Sequence, residues 1–255
     1  MQRGIAFCAA IVLAIGSSAS HAQSMPWINP QVLSTTTGTD VMSIVLQERT
    51  ATGGESDEEA ALGSAKGLTA TGRQDAGQAA AVDYRYRYSP ARTQQNLRSF
   101  LARAPNPAAR AELEQMFAAQ PMLMDDIRAG IQPYGLDSHN VADAFAMWWI
   151  MAWLASEVRM QEPNREMAQN VSRQVRNAFA TTSDFASTND AIRQEYAEAL
   201  LLQALILAEL IKAAGANPEI KAQLPAIAQK DAKVSGIDLS QMNLTQSGIV
   251  PRKTK

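Results

Sequence analysis

The chain has 255 residues, a formal net charge of −2, one cysteine and two histidines. This length provides one domain of ordinary size together with unstructured segments. A charge so close to neutral gives no bulk attraction to nucleic acid or to anionic lipid, so we expect no nucleic-acid partner.

Residues 1–22 have the pattern of a secretory signal peptide. Arg3 supplies the positive region, residues 5–15 supply the apolar region, and residues 20–22 form a small-x-small cleavage site. Cleavage there would remove Cys8 and leave His139 as the single imidazole. The sequence thus predicts a periplasmic or secreted protein without disulfides, cysteine nucleophiles or zinc sites rich in Cys and His, and we expect no metal and no cofactor.

Residues 23–83 are predicted to form a flexible, disordered arm of low complexity. The stretch 51–81 holds six of the 14 glycines and no aromatic residue, so it cannot bury enough apolar surface to offset its ordering entropy. The exception is Asp40 to Gln47, whose apolar residues form a short patch that could be a strand or a docking helix. Periodicity does not decide between the two at this length.

Helix starts are marked after the arm by Ser89-Pro90, Asn106-Pro107 and Asn217-Pro218. Each pairs an N-cap residue with proline at the first helical position, where a missing N–H costs nothing. The first three helices are predicted at 90–103, 107–119 and 122–132, and the fourth at 139–154 with Asp137 or Ser138 as its cap. A fifth begins at Asn164, and a sixth runs from Thr188 to before Gly215. The last begins at Pro218 and is predicted to kink or break at Pro225.

Two of these helices, at 139–154 and 197–211, are apolar on nearly every side. Packing them on each other at the centre, with amphipathic helices around them, buries both. The predicted fold is therefore all-α: an irregular bundle of about six or seven helices over residues 84–250, with a short extended segment at its C-terminal end and a basic tail at 251–255. The apolar run 144–155 is shorter than the roughly 20 residues of a bilayer span, so we expect no transmembrane segment once the leader is removed.

Several short motifs resemble a family of secreted proteobacterial proteins known only as a domain of unknown function. The resemblance covers about residues 84–250 and implies export and a helical fold, but no activity and no catalytic residues. Its most specific motif is the Asn-Val-Ala-Asp-Ala box that precedes the tryptophans. The motifs are Tyr86-x-Tyr88-Ser89-Pro90 with Asn96-Leu97, Gly135-Leu136, Asn140-Val141-Ala142-Asp143-Ala144, Trp149 to Trp153, and Gly236-Ile237-Asp238 with Leu244 and Gly248.

The start of the aromatic helix carries the first candidate site. Asn140 and Asp143 have the positions of residues that cap a helix or interact with its positive dipole end. Alternatively, they line a polar notch with His139, which Asp143 could polarise one turn later to bind a ligand or to assist proton transfer.

Tryptophans supply the second candidate site. Trp149 and Trp153 share a helix face, as a platform for a sugar ring or a peptide would require, whereas Trp148 points about 100° away. The interpretation that all three lie mainly in the core is the favoured one.

The third candidate site consists of Glu195 and Glu198, one turn apart, as paired acids would be for acid–base catalysis. A di-iron bundle needs Glu-x-x-His, and Glu198 stands where that histidine would be, so this class is excluded. An exposed flank near Arg193 is the plainer interpretation. If the protein is an enzyme, Asp143, His139, Glu195 and Glu198 are the catalytic candidates.

Alternation of tyrosine and arginine at residues 84–88 would give a strand one tyrosine face and one arginine face. The plainer interpretation is an edge segment that seats the arm on the bundle. Binding of an anionic envelope polymer by its arginines is the alternative.

Two functions lead, and a third interpretation is a component of a larger envelope assembly or an oligomer, in which Asp40 to Gln47 and the C-terminal tail add to a partner's surface. The first is a non-enzymatic envelope protein whose helical module binds another envelope protein or a small ligand, at His139, Asn140, Asp143, Trp149 or Trp153. The second is a hydrolase of a cell-wall or glycan substrate, which requires two carboxylates within about 5–10 Å of each other across a cleft. The sequence specifies neither the ligand nor the oligomeric state.

Overall fold

The structure, a computed structural model, describes residues 83–104, 106–180 and 188–252. The predicted leader, the arm up to residue 82 with its segment 40–47, and residues 253–255 lie outside the described residues. Within the described part the chain forms seven α-helices and a two-stranded sheet. The helices are α1 (Pro90–Ala102), α2 (Pro107–Ala119), α3 (Leu123–Ile131), α4 (Val141–Ser156), α5 (Arg165–Ala180), α6 (Asp190–Ala214) and α7 (Pro218–Val234).

The two apolar helices α4 and α6 pack against each other and form the largest helix–helix interface of the described domain. Every residue of α4 from Val141 to Ala155 is buried. Helices α5 and α7 lie on the remaining sides of α4, while α1 and α7 cover α6. The predicted all-α bundle with two central apolar helices is therefore confirmed.

Local caps explain where the helices begin. The side chains of Ser89, Asn106 and Asn217 each accept hydrogen bonds from backbone N–H groups of the first turn that follows, and proline occupies the first helical position. Asn164 accepts in the same way from Met167 N–H at 2.9 Å. These four predicted starts are confirmed.

Two predicted caps are wrong, and of the kink or break predicted at Pro225 the break does not occur. Asn140, not Asp137 or Ser138, caps α4, because Asp137 instead accepts from the N–H of His139 inside the preceding loop. Asn189, not Thr188, caps α6.

Helix α7 does not break at Pro225 but continues as one helix from Pro218 to Val234. The proline removes one helical hydrogen bond, a cost of about 3 kcal/mol. Leu224 and Ala228 are fully buried and Ile227 is nearly so. Burial of this face on both sides of the proline keeps the helix intact.

The extended C-terminal segment is a β-hairpin that lies on α4 and α5. Strand β1 (Met242–Thr245) pairs antiparallel with β2 (Gly248–Pro251), and Thr245 lies opposite Gly248. The side-chain amide of Gln174 accepts from the N–H of Ile249 at 2.9 Å and donates to its carbonyl at 2.8 Å. This side chain thus satisfies the outer edge of β2 as a third strand would.

No helix among the described residues is both long enough and apolar enough to cross a membrane.

Candidate functional site

The residues predicted to line one polar notch at the start of α4 have separate hydrogen-bond and ring-stacking partners. The side chain of Asn140 caps the helix by accepting from the N–H groups of Ala142 and Asp143. The carboxylate of Asp143, which is 2% exposed, accepts from the N–H of Asp137 at 2.8 Å, from the hydroxyl of Ser172 and from Arg176 at 2.6 Å. Asp143 therefore ties α4 to α5 and to the loop before α4.

His139 faces a different set of neighbours. Its ring stacks on Tyr88, with centroids 5.1 Å apart, and meets the edge of Tyr86 at 5.6 Å. Its Nε2 is buried and has no hydrogen-bond partner among the described residues. Because His139 precedes the first helical residue, the i, i+4 geometry expected for His139 and Asp143 does not apply.

Residues 84–88 run along the start of α4 in extended form. The N–H of Tyr86 donates to the carbonyl of His139, and the N–H of Val141 donates to the carbonyl of Tyr84. Tyr84 and Tyr86 are buried, while Arg85 and Arg87 are exposed, as the sequence alternation predicts. Burial raises the pKa of Tyr86, the carboxylate of Glu198 raises it further, and Arg128 opposes the shift.

Glu198 lies at the centre of a buried polar network. Its carboxylate, 2% exposed, accepts from the hydroxyl of Thr93 at 2.6 Å, the amide of Asn96 at 2.7 Å, the guanidinium of Arg128 at 2.7 Å and the amide of Gln194 at 3.0 Å. These donors come from α1, α3 and α6. The four hydrogen bonds to this carboxylate therefore hold three helices together.

Arg128 is a partner of Glu198 that the sequence did not predict. It also donates to Asp125 at 2.7 Å, and its guanidinium carbon lies 4.3 Å from the ring centroid of Tyr88. Its Nε is buried without a hydrogen-bond partner. No local signal identifies this residue, because 70 positions of sequence separate it from Glu198.

Glu195 and Glu198 on α6 have separate partners. Glu195 is 20% exposed and accepts from Arg103 at 3.0 Å, whereas Glu198 points into the network with Arg128. The pair therefore does not present two free carboxylates to one cleft.

The tryptophans of α4 belong to the core. Trp148, Trp149 and Trp153 are at most 3% exposed. Trp148 donates to Asp231 at 2.9 Å and Trp153 to the carbonyl of Met242 at 3.0 Å, while the buried N–H of Trp149 has no hydrogen-bond partner among the described residues. In this conformation neither Trp149 nor Trp153 forms an open platform.

A concave surface lies at the opposite end of α4, where residues 157–160 follow the helix. We call it the Met160 depression; its volume is about 310 Å³. Met160 is 66% exposed at its rim, and Val158 has φ of 49°, a conformation that valine rarely adopts. The lining residues are Val158, Met160, Ile211, Ala214, Gly215, Ala216, Asn217, Pro218 and Lys221.

Among the described residues, no group of three or more His, Cys, Asp or Glu side chains is arranged to hold a metal ion. The carboxylates of Asp143 and Glu198 are each surrounded by donors of the protein itself, whereas the Met160 depression is open. It was not predicted, because its residues come from two segments, 158–160 and 211–221, that are far apart in the sequence.

Comparison with known proteins gives one family. The model of DUF6683, a family of unknown function, matches residues 1–252. This match extends beyond the expected range of 84–250 and includes the arm. Neither the curated proteins nor the solved structures contain a match to the chain.

Proposed function

We propose that this chain, which belongs to the DUF6683 family, is an exported protein whose helical domain is a non-enzymatic binding module. The Met160 depression is the proposed contact surface for an envelope protein or a small ligand. Its volume lies at the lower end of the range of about 300–1,000 Å³ that ligand sites occupy.

The exposed Met160 carries this proposal. Large apolar side chains at the surface of a concave site contribute binding energy because a partner removes them from water. Methionine is also flexible and adapts to partners of different shape. The unusual backbone of Val158 supports the same surface, since strained residues are retained mainly where they serve function.

The carboxylate-dependent hydrolase is the alternative function, and the geometry favours it less. A general acid or base must come within about 2.6–3.2 Å of the proton that it transfers. Asp143 and Glu198 are each 2% exposed. The carboxylate of Asp143 accepts hydrogen bonds from three donors of the protein, and that of Glu198 accepts from four. A substrate would have to displace these donors before either carboxylate could act.

The binding proposal is tested by capture from the protein's own envelope. A bound protein or ligand is first identified with the parent chain, and its affinity is then measured for Met160→Glu and for the matched control Met122→Glu. Met122 is 58% exposed and does not line the depression. We expect Met160→Glu to weaken binding at least tenfold, a change of about 1.4 kcal/mol, and the control to leave it unchanged. Equal affinities for all three chains would overturn the proposal.

Export is tested separately by cell fractionation with N-terminal sequencing. The proposal expects a chain that begins at Gln23 in the periplasm or the medium. Recovery of the chain from the cytosol with residues 1–22 attached would contradict it.

A further inference from the structure

We propose that the apolar segment of residues 41–46 docks on the Met160 depression of the same chain, with Ile44 as its central anchor. This contact uses the same surface as the proposed function, but it needs no external partner.

The depression offers an apolar floor with one lysine among its lining residues. Ile211 and Ala214 are buried at its base, and Met160 is exposed at its edge. The exposed Lys221 also lines it and has no ion-pair partner among the described residues. A complementary ligand therefore has an apolar centre and a negative charge beside it.

Residues 41–46 have this chemistry. Val41, Met42, Ile44, Val45 and Leu46 make the segment apolar. Asp40 supplies a negative charge directly before it, whereas Glu48 after it is followed by Arg49. Ile44 belongs to the apolar face whether the segment is a helix, with Val41 and Val45, or a strand, with Met42 and Leu46. The depression has room for one or two of these side chains.

The position of the arm makes this contact reachable. Arg193 donates to the carbonyls of Asp83 and Arg85 at 2.9 Å, so the arm leaves the domain beside the beginning of α6. The depression lies at the end of α6. From Arg193 to Ala214 the helix rises about 32 Å, at 1.5 Å per residue.

The connecting sequence matches this distance. About 36 residues, 47–82, separate the segment from Asp83, and they are rich in glycine and alanine. A chain of this composition has a root-mean-square span of about 30–36 Å. The effective concentration of a tethered ligand is highest when the span of its linker matches the distance to the site.

Hydrogen–deuterium exchange of the isolated full chain, without any extract, tests the contact. We expect the amides of residues 41–46 to exchange about tenfold more slowly in the parent chain and in Met122→Glu than in Met160→Glu. Equal exchange of these amides in the parent and in Met160→Glu would overturn the proposal. A failure here is distinct from a failure of the capture experiment, because no partner is present.

Disulfide trapping identifies the occupant directly. In the chain that begins at Gln23, which has no cysteine of its own, the pair Ile44→Cys and Met160→Cys is compared with the pair Leu68→Cys and Met160→Cys, which controls for simple tethering. We expect the first pair to form an intramolecular disulfide several times faster. Equal rates would overturn the proposal, and so would a product that is mainly a cross-linked dimer, since the occupant would then be a second copy.

Discussion

The carboxylate of Glu198 accepts a hydrogen bond from the guanidinium of Arg128 at 2.7 Å, and both side chains are at least nine-tenths buried. The pair joins α6 to α3, and its remaining hydrogen bonds reach α1. A carboxylate in this position holds the fold together, and the same is true of Asp143 with its partners on α5. Glu198 and Asp143 therefore have structural roles and are not part of the proposed binding surface, the Met160 depression.

Replacing Glu198 by Gln should destabilise the domain by about 3 kcal/mol, because the buried guanidinium of Arg128 loses its charged partner. The matched change Glu195→Gln should cost less than about 1 kcal/mol, since its pair with Arg103 is more exposed. Denaturant unfolding of both variants measures the difference. Similar losses for the two would show that the buried network is not what stabilises these helices.

Trp148 and Trp149 are adjacent and equally buried, but only Trp148 donates a hydrogen bond to a carboxylate. Trp148→Phe should therefore cost about 1.5–3 kcal/mol more than Trp149→Phe, because a hydrogen bond to a charged group is lost. Thermal and denaturant unfolding of the two variants provide the test. If Trp149→Phe proves the more damaging, the bond to Asp231 contributes less than we infer.

Gln174→Ala should loosen the hairpin without unfolding the bundle. The change removes both hydrogen bonds to the backbone of Ile249, each worth about 0.5–1.5 kcal/mol. Amide exchange at Ile249 should become faster, while amides of α4 keep their protection. Gln223→Ala, on the surface of α7, serves as the control and should leave the exchange at Ile249 unchanged.

Glu209 provides a prediction about pH. Burial raises the pKa of its carboxyl, and Lys212 opposes the shift. A raised pKa in the folded state adds stability below the ordinary glutamate value of about 4.3, and this contribution is lost as the pH rises through the raised pKa. Glu209→Gln should therefore increase the unfolding free energy more at pH 7 than at pH 4. An equal effect at the two pH values, or the same pattern in the exposed control Glu114→Gln, would contradict this account.

Much of the fold was predictable because its signals are local. Ser89, Asn106 and Asn217 each precede a proline, and that pair alone specifies a helix start. The placement of α4 and α6 at the centre followed from apolar residues on every side of both helices. Local signals were ambiguous where Asp137, Ser138 and Asn140 stood close together as possible caps, and the loop interactions of Asp137 decided among them.

The site was less predictable, because its contacts join distant parts of the sequence. Glu198 was noticed for its spacing from Glu195, yet its true partners are on α1 and α3. The pairing of Gln174 with Ile249 has no signature in either segment. The sequence predicts a kink or break of α7 at Pro225, because the local rule for proline does not take into account the burial of Leu224 and Ile227.

The most direct test of the binding-module account is a turnover assay with a panel of envelope glycans and peptides. The parent chain, Asp143→Asn and Glu198→Gln are compared, with each variant first shown to be folded by circular dichroism. The account predicts no turnover by any of the three chains. Turnover by the parent that is lost in a folded Asp143→Asn or Glu198→Gln variant would contradict it and would favour the hydrolase.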